Sequence, residues 1–267
     1  MYDKYFSGLP DKAEYLKRIG LDRTDIFPNR ECLDRLQFAH LCTVPFENID
    51  IFDYKIKIDF GIEELFEKIV MRRRGGYCFE LNAIYMALLE AIGFETYPIG
   101  VRIFLGINGY IPAIAHRALI VKIDGKRYYS DVGFGVYYAP AFSINIDDYS
   151  EQKIHGEVFK VEDRLYNNKM IMRKTENGMS ELFMFNLDPF NILDFIAYNT
   201  ILQNNYGKKR VVLMRTYNGS ISIDGKILRR RENGNISETP LNNTEDIFEV
   251  LQKIFGMILT APFSSAG

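Results

Sequence analysis

Residues 79–94 read FELNAIYMALLEAIGF, a helical pattern that is apolar on nearly every side. A helix of that kind is stable in water only when the rest of the chain encloses it. Gly93 is a suitable terminator for it. The chain supplies enough to build around it, with 267 residues of which 47% are hydrophobic, including 20 Phe and 17 Tyr. Such a length fits one large domain or a few subdomains sharing a core.

The region up to residue 95 carries mostly helical periodicity. Residues 11–19 form a first short pattern. A second starts at Asn29 or Asp34, runs through Leu33, Leu36, Phe38 and Leu41, and ends before Pro45. A third helix is expected over residues 62–71. From residue 96 the character changes to short β-prone runs broken by Gly, Asn and Asp, implying a mixed or antiparallel sheet or a barrel. Residues 189–202 read as a connecting helix. Strands return over residues 208–231 with Asn-Gly and Asp-Gly turns, and a last amphipathic helix is expected over 243–257, with Thr244, Glu245 and Asp246 at its acidic start.

Net charge is -2, from 33 basic and 35 acidic residues. No long-range field gathers nucleic acid or an acidic membrane, and no apolar run approaches bilayer length. The opening residues lack a signal-peptide pattern, and three cysteines leave at least one unpaired. Both suggest a cytoplasmic protein without disulfides.

Cys78 follows Gly75 and Gly76 and directly precedes the enclosed helix. A thiol there meets unpaired amides and the positive end of the helix dipole, which favour a thiolate and could hold an oxyanion. A buried, inert cysteine fits the same position, so Cys78 alone leaves both readings open. The run HRALIVKIDGKRYYSD adds a partner. With Asp124-Gly125 as a two-residue loop, Ile123 pairs with Lys126 and Ala118 with Asp131. His116 then shares a face with Asp131, diagonally across the pair, within reach of a carboxylate–imidazole bond. That bond leaves the second ring nitrogen for Cys78. A structural His–Asp contact is the competing reading. His40 lies near Cys32 and Cys42, but the spacing matches no structural zinc pattern and no metal is expected. His155 reads as a surface residue.

Asp131-Val132-Gly133-Phe134-Gly135 ends the second strand. Its glycines could present amides to a ligand, with the Phe134 ring toward a pocket. Phe46 could line that pocket or simply fill core. Glu47 is a plausible ion-pair partner of Arg74, anchoring the loop that bears Cys78.

Together, PFEN at 45–48, RGGYCFELN at 74–82, the strand from His116 and DVGFG at 131–135 resemble the arylamine N-acetyltransferases, as does YLKRIG at 15–20. The resemblance covers most of the chain in order and length. It implies an α+β fold with a papain-like cysteine-enzyme core: an N-terminal helical bundle over 1–95, a central β-barrel with connecting helix over 96–205 and a C-terminal α/β lid over 206–267. It implies that Cys78 takes acetyl from acetyl-CoA, with His116 as base and Asp131 orienting it. A primary arylamine, hydrazine or N-hydroxyarylamine would accept the acetyl group in a ping-pong cycle. Gly133, Phe134 and Gly135 match the motif near the cofactor. Phe46 and Phe134 match the acceptor side, and Arg74 with Glu47 a structural ion pair. Tyr137 stands where the chain departs from the family, in VYYAPAF, and would narrow the acceptor side. A second departure is NTILQNNYGKKR. An amide synthase acting on a carrier-bound acyl chain and a thiol hydrolase are the rival chemistries for the same residues.

Overall fold

A computed structural model describes residues 3–22, 25–105, 107 and 109–259, with Asn205 and Tyr206 described by backbone alone. Side-chain caps start the helices. The Asp11 carboxylate accepts from the amides of Ala13 and Glu14 to open α1 (Lys12–Arg18), and Asn29 accepts from Cys32 to open α2 (Arg30–Thr43). The chain then turns extended through Val44 into a two-residue strand, β1 (Phe46–Glu47), and a single turn, α3 (Ile49–Phe52). The helix expected over 62–71 is regular only in α4 (Ile62–Leu65). Phe66–Met71 widens into a π-helix. That wider turn accompanies an inward-facing Lys68, which is buried against two carboxylates.

The enclosed helix is α5 (Cys78–Ile92), closed by Gly93 at φ 105°. Its neighbours in the first core include Tyr15, Leu33, Leu36, Ile69 and Phe195.

The β-region forms β2 (Glu95–Ile103), β3 (Ile114–Ile123), β4 (Lys126–Ser130), β5 (Ile144–Asn145), β6 (Gln152–Ile154), β7 (Glu157–Arg164), β8 (Asn168–Thr175) and β9 (Gly178–Phe185). All pair antiparallel in the order β5-β4-β3-β2-β9-β8-β7-β6. The two edges nearly close a barrel. The Gln152 side chain accepts from the Asn145 amide at 3.0 Å and donates to its carbonyl at 2.8 Å, standing in for a ladder. Strand alternation divides β3 between two cores. Leu119 and Val121 join the core around α5, while Ala118 and Ile120 point into the barrel with Val101, Phe159 and Phe183.

After α6 (Ile192–Tyr206) come β10 (Val211–Thr216), β11 (Gly219–Asp224), β12 (Ile227–Glu232), β13 (Asn235–Pro240) and α7 (Thr244–Lys253). The second sheet runs β1-β10-β11-β12-β13. Its first strand comes from far upstream, with Phe46 opposite Leu213 and Glu47 opposite Val212. Ile49, Val212, Ile223, Ile247 and Leu251 belong to a third core beneath α7. Asn243 caps α7, with Glu245 and Asp246 in its first turn as expected. No described helix is long and apolar enough to cross a membrane.

Candidate active site

The loop before α5 is held by backbone and charge. The Glu47 amide donates to the Gly76 carbonyl at 2.9 Å, and Phe46 bridges to Gly76 in parallel. A Cβ on Gly75 would stand 1.9 Å from the Pro45 carbonyl oxygen, so this approach requires glycine. Arg74 reaches Glu47 Oε1 at 2.7 Å, as the sequence suggested, and Asp50 Oδ1 at 2.7 Å. Lys68 meets Asp50 Oδ2 and Glu80 Oε1, both at 2.7 Å. Glu80 Oε2 in turn accepts from the Tyr77 amide at 3.1 Å. This buried network runs from β1 to the first turn of α5. Burial opposes the charge on Arg74 and on Lys68, but the surrounding carboxylates win and raise both pKa values.

Cys78 is the first residue of α5, at the positive end of the helix dipole, and is 1% exposed. The β3–β4 hairpin has the expected register. Ile123 pairs with Lys126 and Leu119 with Ser130, which puts Asp131 one residue past the ladder, opposite Ala118. Pairing between β2 and β3 shifts just beyond the Val101–His116 pair, a bulge adjoining His116. His116 Nε2 lies 2.6 Å from Asp131 Oδ2, with both residues 1% exposed. The His116 side chain is also a hydrogen-bonding neighbour of Cys78, and Asp131 occupies its Nε2. Cys78, His116 and Asp131 are therefore brought together.

Asp131 has every oxygen engaged. Oδ2 accepts from His116 and from the Tyr129 hydroxyl at 2.9 Å. Oδ1 accepts from Asn82 Nδ2 at 2.9 Å and from the Gly133 amide at 2.8 Å. Burial alone would raise its carboxyl pKa, but the His116 charge and these donors hold it below the ordinary carboxylate value. Burial likewise opposes protonation of His116. The Asp131 charge and hydrogen bond, followed by contact with Cys78, outweigh it and push the imidazole up to about 10. The upward shift favours the imidazolium, the charge that would pair with a neighbouring thiolate.

Gly133 has a different local role from presenting its amide to a ligand, because that amide is committed to Asp131. A Cβ on it would lie 2.7 Å from both Cys78 Cα and Asn82 Nδ2. Phe134 is buried, edge-on to His116 at 5.6 Å and to Phe183 at 4.6 Å. Phe46 is buried too, against Gly135. Both line a void of about 10 Å³, room for one water molecule at most. Tyr137 is half exposed, with the Arg231 guanidinium of β12 4.4 Å above its ring. A cavity of about 450 Å³ lies beyond Tyr138 between Phe104 and Arg173, and contains none of Cys78, His116 or Asp131 in its lining.

Several residues of the site were not singled out from sequence. Asn82 donates to Asp131 and to the Arg117 carbonyl at 2.6 Å, and accepts from Val132. It stands one helical turn after Cys78, a spacing that could have marked it. The Tyr129 hydroxyl shares the strand face of Asp131. Gln37 receives Ser130 Oγ and the Asp131 amide, with no local signal in α2 to announce it. His40 is buried on the Tyr15 hydroxyl at 2.9 Å, and burial pulls its pKa down to about 3. Among the described residues no group of three His, Cys, Asp or Glu is placed to hold a metal. His155 lies at the surface, partly covered by Phe38, Phe142 and Tyr217, with Nε2 2.9 Å from the Tyr217 carbonyl oxygen.

Residues 30–263 match the N-acetyltransferase family. Human arylamine N-acetyltransferase 1 is 27% identical, with 93% of this chain aligned to 94% of that protein. The arylamine N-acetyltransferase of Salmonella typhimurium superposes with a TM-score of 0.88 over 96% of each chain at 21% identity. The Mycobacterium marinum enzyme, solved in complex with CoA, superposes with a TM-score of 0.83 at 23% identity over 92% of this chain and 93% of that one.

Proposed function

This chain belongs to the arylamine N-acetyltransferase family, and on that premise we propose that Cys78 carries acetyl from acetyl-CoA to the nitrogen of a primary arylamine or hydrazine. The observation that carries the proposal is the orientation of His116: Nε2 is fixed on Asp131 at 2.6 Å, so the other nitrogen serves Cys78. The Cys78 thiolate attacks the thioester carbonyl. The carbon–sulfur bond to CoA breaks, the imidazolium protonates the departing CoA sulfur, and acetyl-Cys78 remains. An amine then attacks, neutral His116 takes its proton, and the Cys78 thiolate leaves the new amide. First-turn amides of α5 would stabilise the oxyanion in both halves. N-hydroxyarylamines would accept on oxygen by the same route.

A cysteine at a helix start, set against a histidine and aspartate from a hairpin, is a papain-like arrangement. We assign it to residues 1–95 and 96–205, with 206–267 as the lid. Gly133, Phe134 and Gly135 would shape the donor side, and Phe46, Phe134 and Tyr137 the acceptor side. None of Cys32, Cys42 and Cys78 forms a disulfide, which suits a reducing cytoplasm.

Steady-state rates measured over a grid of acetyl-CoA and 4-methoxyaniline concentrations test the proposal. Parallel reciprocal plots are expected. Intersecting plots, or CoA release that is indifferent to the amine, would overturn it, the latter in favour of a thiol hydrolase.

A further inference from the structure

Strand β3 has two faces, and the one opposite His116 carries a charge that the proposed chemistry does not use. Arg117 is 3% exposed. Its Nε and Nη1 have no hydrogen-bond partner among the described residues. Nη2 makes only a 3.9 Å contact to the Met86 sulfur, and the guanidinium lies 4.8 Å over the Phe195 ring. Two unpartnered nitrogens, with three N–H donors between them, on a buried cation carry a desolvation cost that a sulfur and a ring face offset only in part. Burial draws the guanidinium down to about 9, so it remains charged at neutral pH.

Arg117 lines a cavity of about 350 Å³ whose wall on α5 is built from Ala83, Met86, Ala87 and Glu90. Ala83 and Ala87 leave space beside the Met86 sulfur that Arg117 touches. Glu90 makes no ion pair with the guanidinium among the described residues, although each feels the other's charge. Phe190 lines the same space. So does Phe6, whose ring is 64% exposed. A buried cation with a fork of unused donors thus shares a cavity with aromatic walls and an uncovered apolar ring. The matching ligand has an anionic head and a short apolar body. A carboxylate fits the planar fork, and the volume suits a single substituted ring.

We propose that this cavity, on the face of β3 opposite the Cys78–His116–Asp131 cluster, is a binding site for a small apolar carboxylate held by Arg117. The site is separate from the acyl-transfer site. It does not depend on the function proposed for Cys78.

Isothermal titration calorimetry of the full chain tests the site, with 4-ethylbenzoate as probe and 4-ethylbenzamide as its neutral analogue. Saturable binding of the acid is expected, weaker by at least about tenfold for the amide because the charge-assisted pair is lost. Arg117→Met should abolish binding. Ala87→Met, which keeps Arg117 and fills the space, should abolish it too. Near-ultraviolet circular dichroism checks that each variant is folded, and the two changes fail independently. Equal binding of acid and amide, acid binding that survives either folded variant, or no saturable binding to the wild type would overturn the proposal. Inorganic phosphate is the third probe. Binding as tight as that of 4-ethylbenzoate would remove the apolar body from the argument and overturn it as stated.

Discussion

Replacing Gly133 with alanine tests the packing of DVGFG onto α5. The added methyl would stand 2.7 Å from Cys78 Cα, 2.7 Å from Asn82 Nδ2 and 3.0 Å from the Cys78 carbonyl oxygen. Comfortable carbon contacts lie near 3.5–4.0 Å, so about 1 Å of separation must be found. Neither neighbour yields easily. Cys78 Cα is helix backbone, and Asn82 is tied to Asp131, the Arg117 carbonyl and the Val132 amide. Overpacking of this kind costs about 1–3 kcal/mol of stability. A displacement of about 1 Å between reacting groups costs roughly 100-fold in rate. Urea denaturation and single-turnover acetylation by acetyl-CoA measure the two effects separately. Gly8→Ala is the control, since a Cβ there meets nothing within 4 Å. A Gly133→Ala protein with wild-type stability and wild-type acetylation rate would refute the packing argument.

Asp131→Asn removes the charge that holds His116 protonated, so burial should pull the His116 pKa down from about 10, as seen by NMR titration of the ring. The stability difference from wild type should reach about 3–5 kcal/mol. His116 has its folded pKa raised, so its contribution is complete below its unfolded value near 6.5 and is lost as pH rises through about 10. Asp131 is lowered, so its contribution is present above about 3.9 and is lost as pH falls through its folded value. Denaturation midpoints of the two proteins should therefore differ most between about pH 4 and 6.5 and converge toward pH 10. A difference independent of pH would contradict this. Glu47→Gln weakens the buried hold on Arg74 and should cost about 3 kcal/mol in urea denaturation, with a fall in acetylation rate. Unchanged stability would show that Asp50 alone suffices.

The parts legible in sequence were those fixed by local rules. The Asp124-Gly125 loop set one register, and that register carried His116 to Asp131. The position of Cys78 after two glycines located it at the start of α5. Glu47 and Arg74 were readable as an ion pair anchoring the loop before Cys78, but Asp50 and Lys68 were not. Their pairing depends on a π-helix that turns Lys68 inward, and no propensity at residues 66–71 signals that geometry. The pairing of β1 with β10 joins residues far apart in the chain through two side-by-side positions, too few to show an alternating pattern. Asn82 lay within reach of the i, i+4 rule. Gln37 and Arg117 became meaningful only once three elements were packed together.

Intact-protein mass spectrometry after brief exposure to acetyl-CoA tests the central claim most directly. One acetyl group should appear on wild type, map to Cys78 by peptide analysis, be absent from Cys78→Ala and disappear into acetylated product when 4-methoxyaniline is added. A chain that acquires no acetyl group, or loses it only to water, would contradict the account.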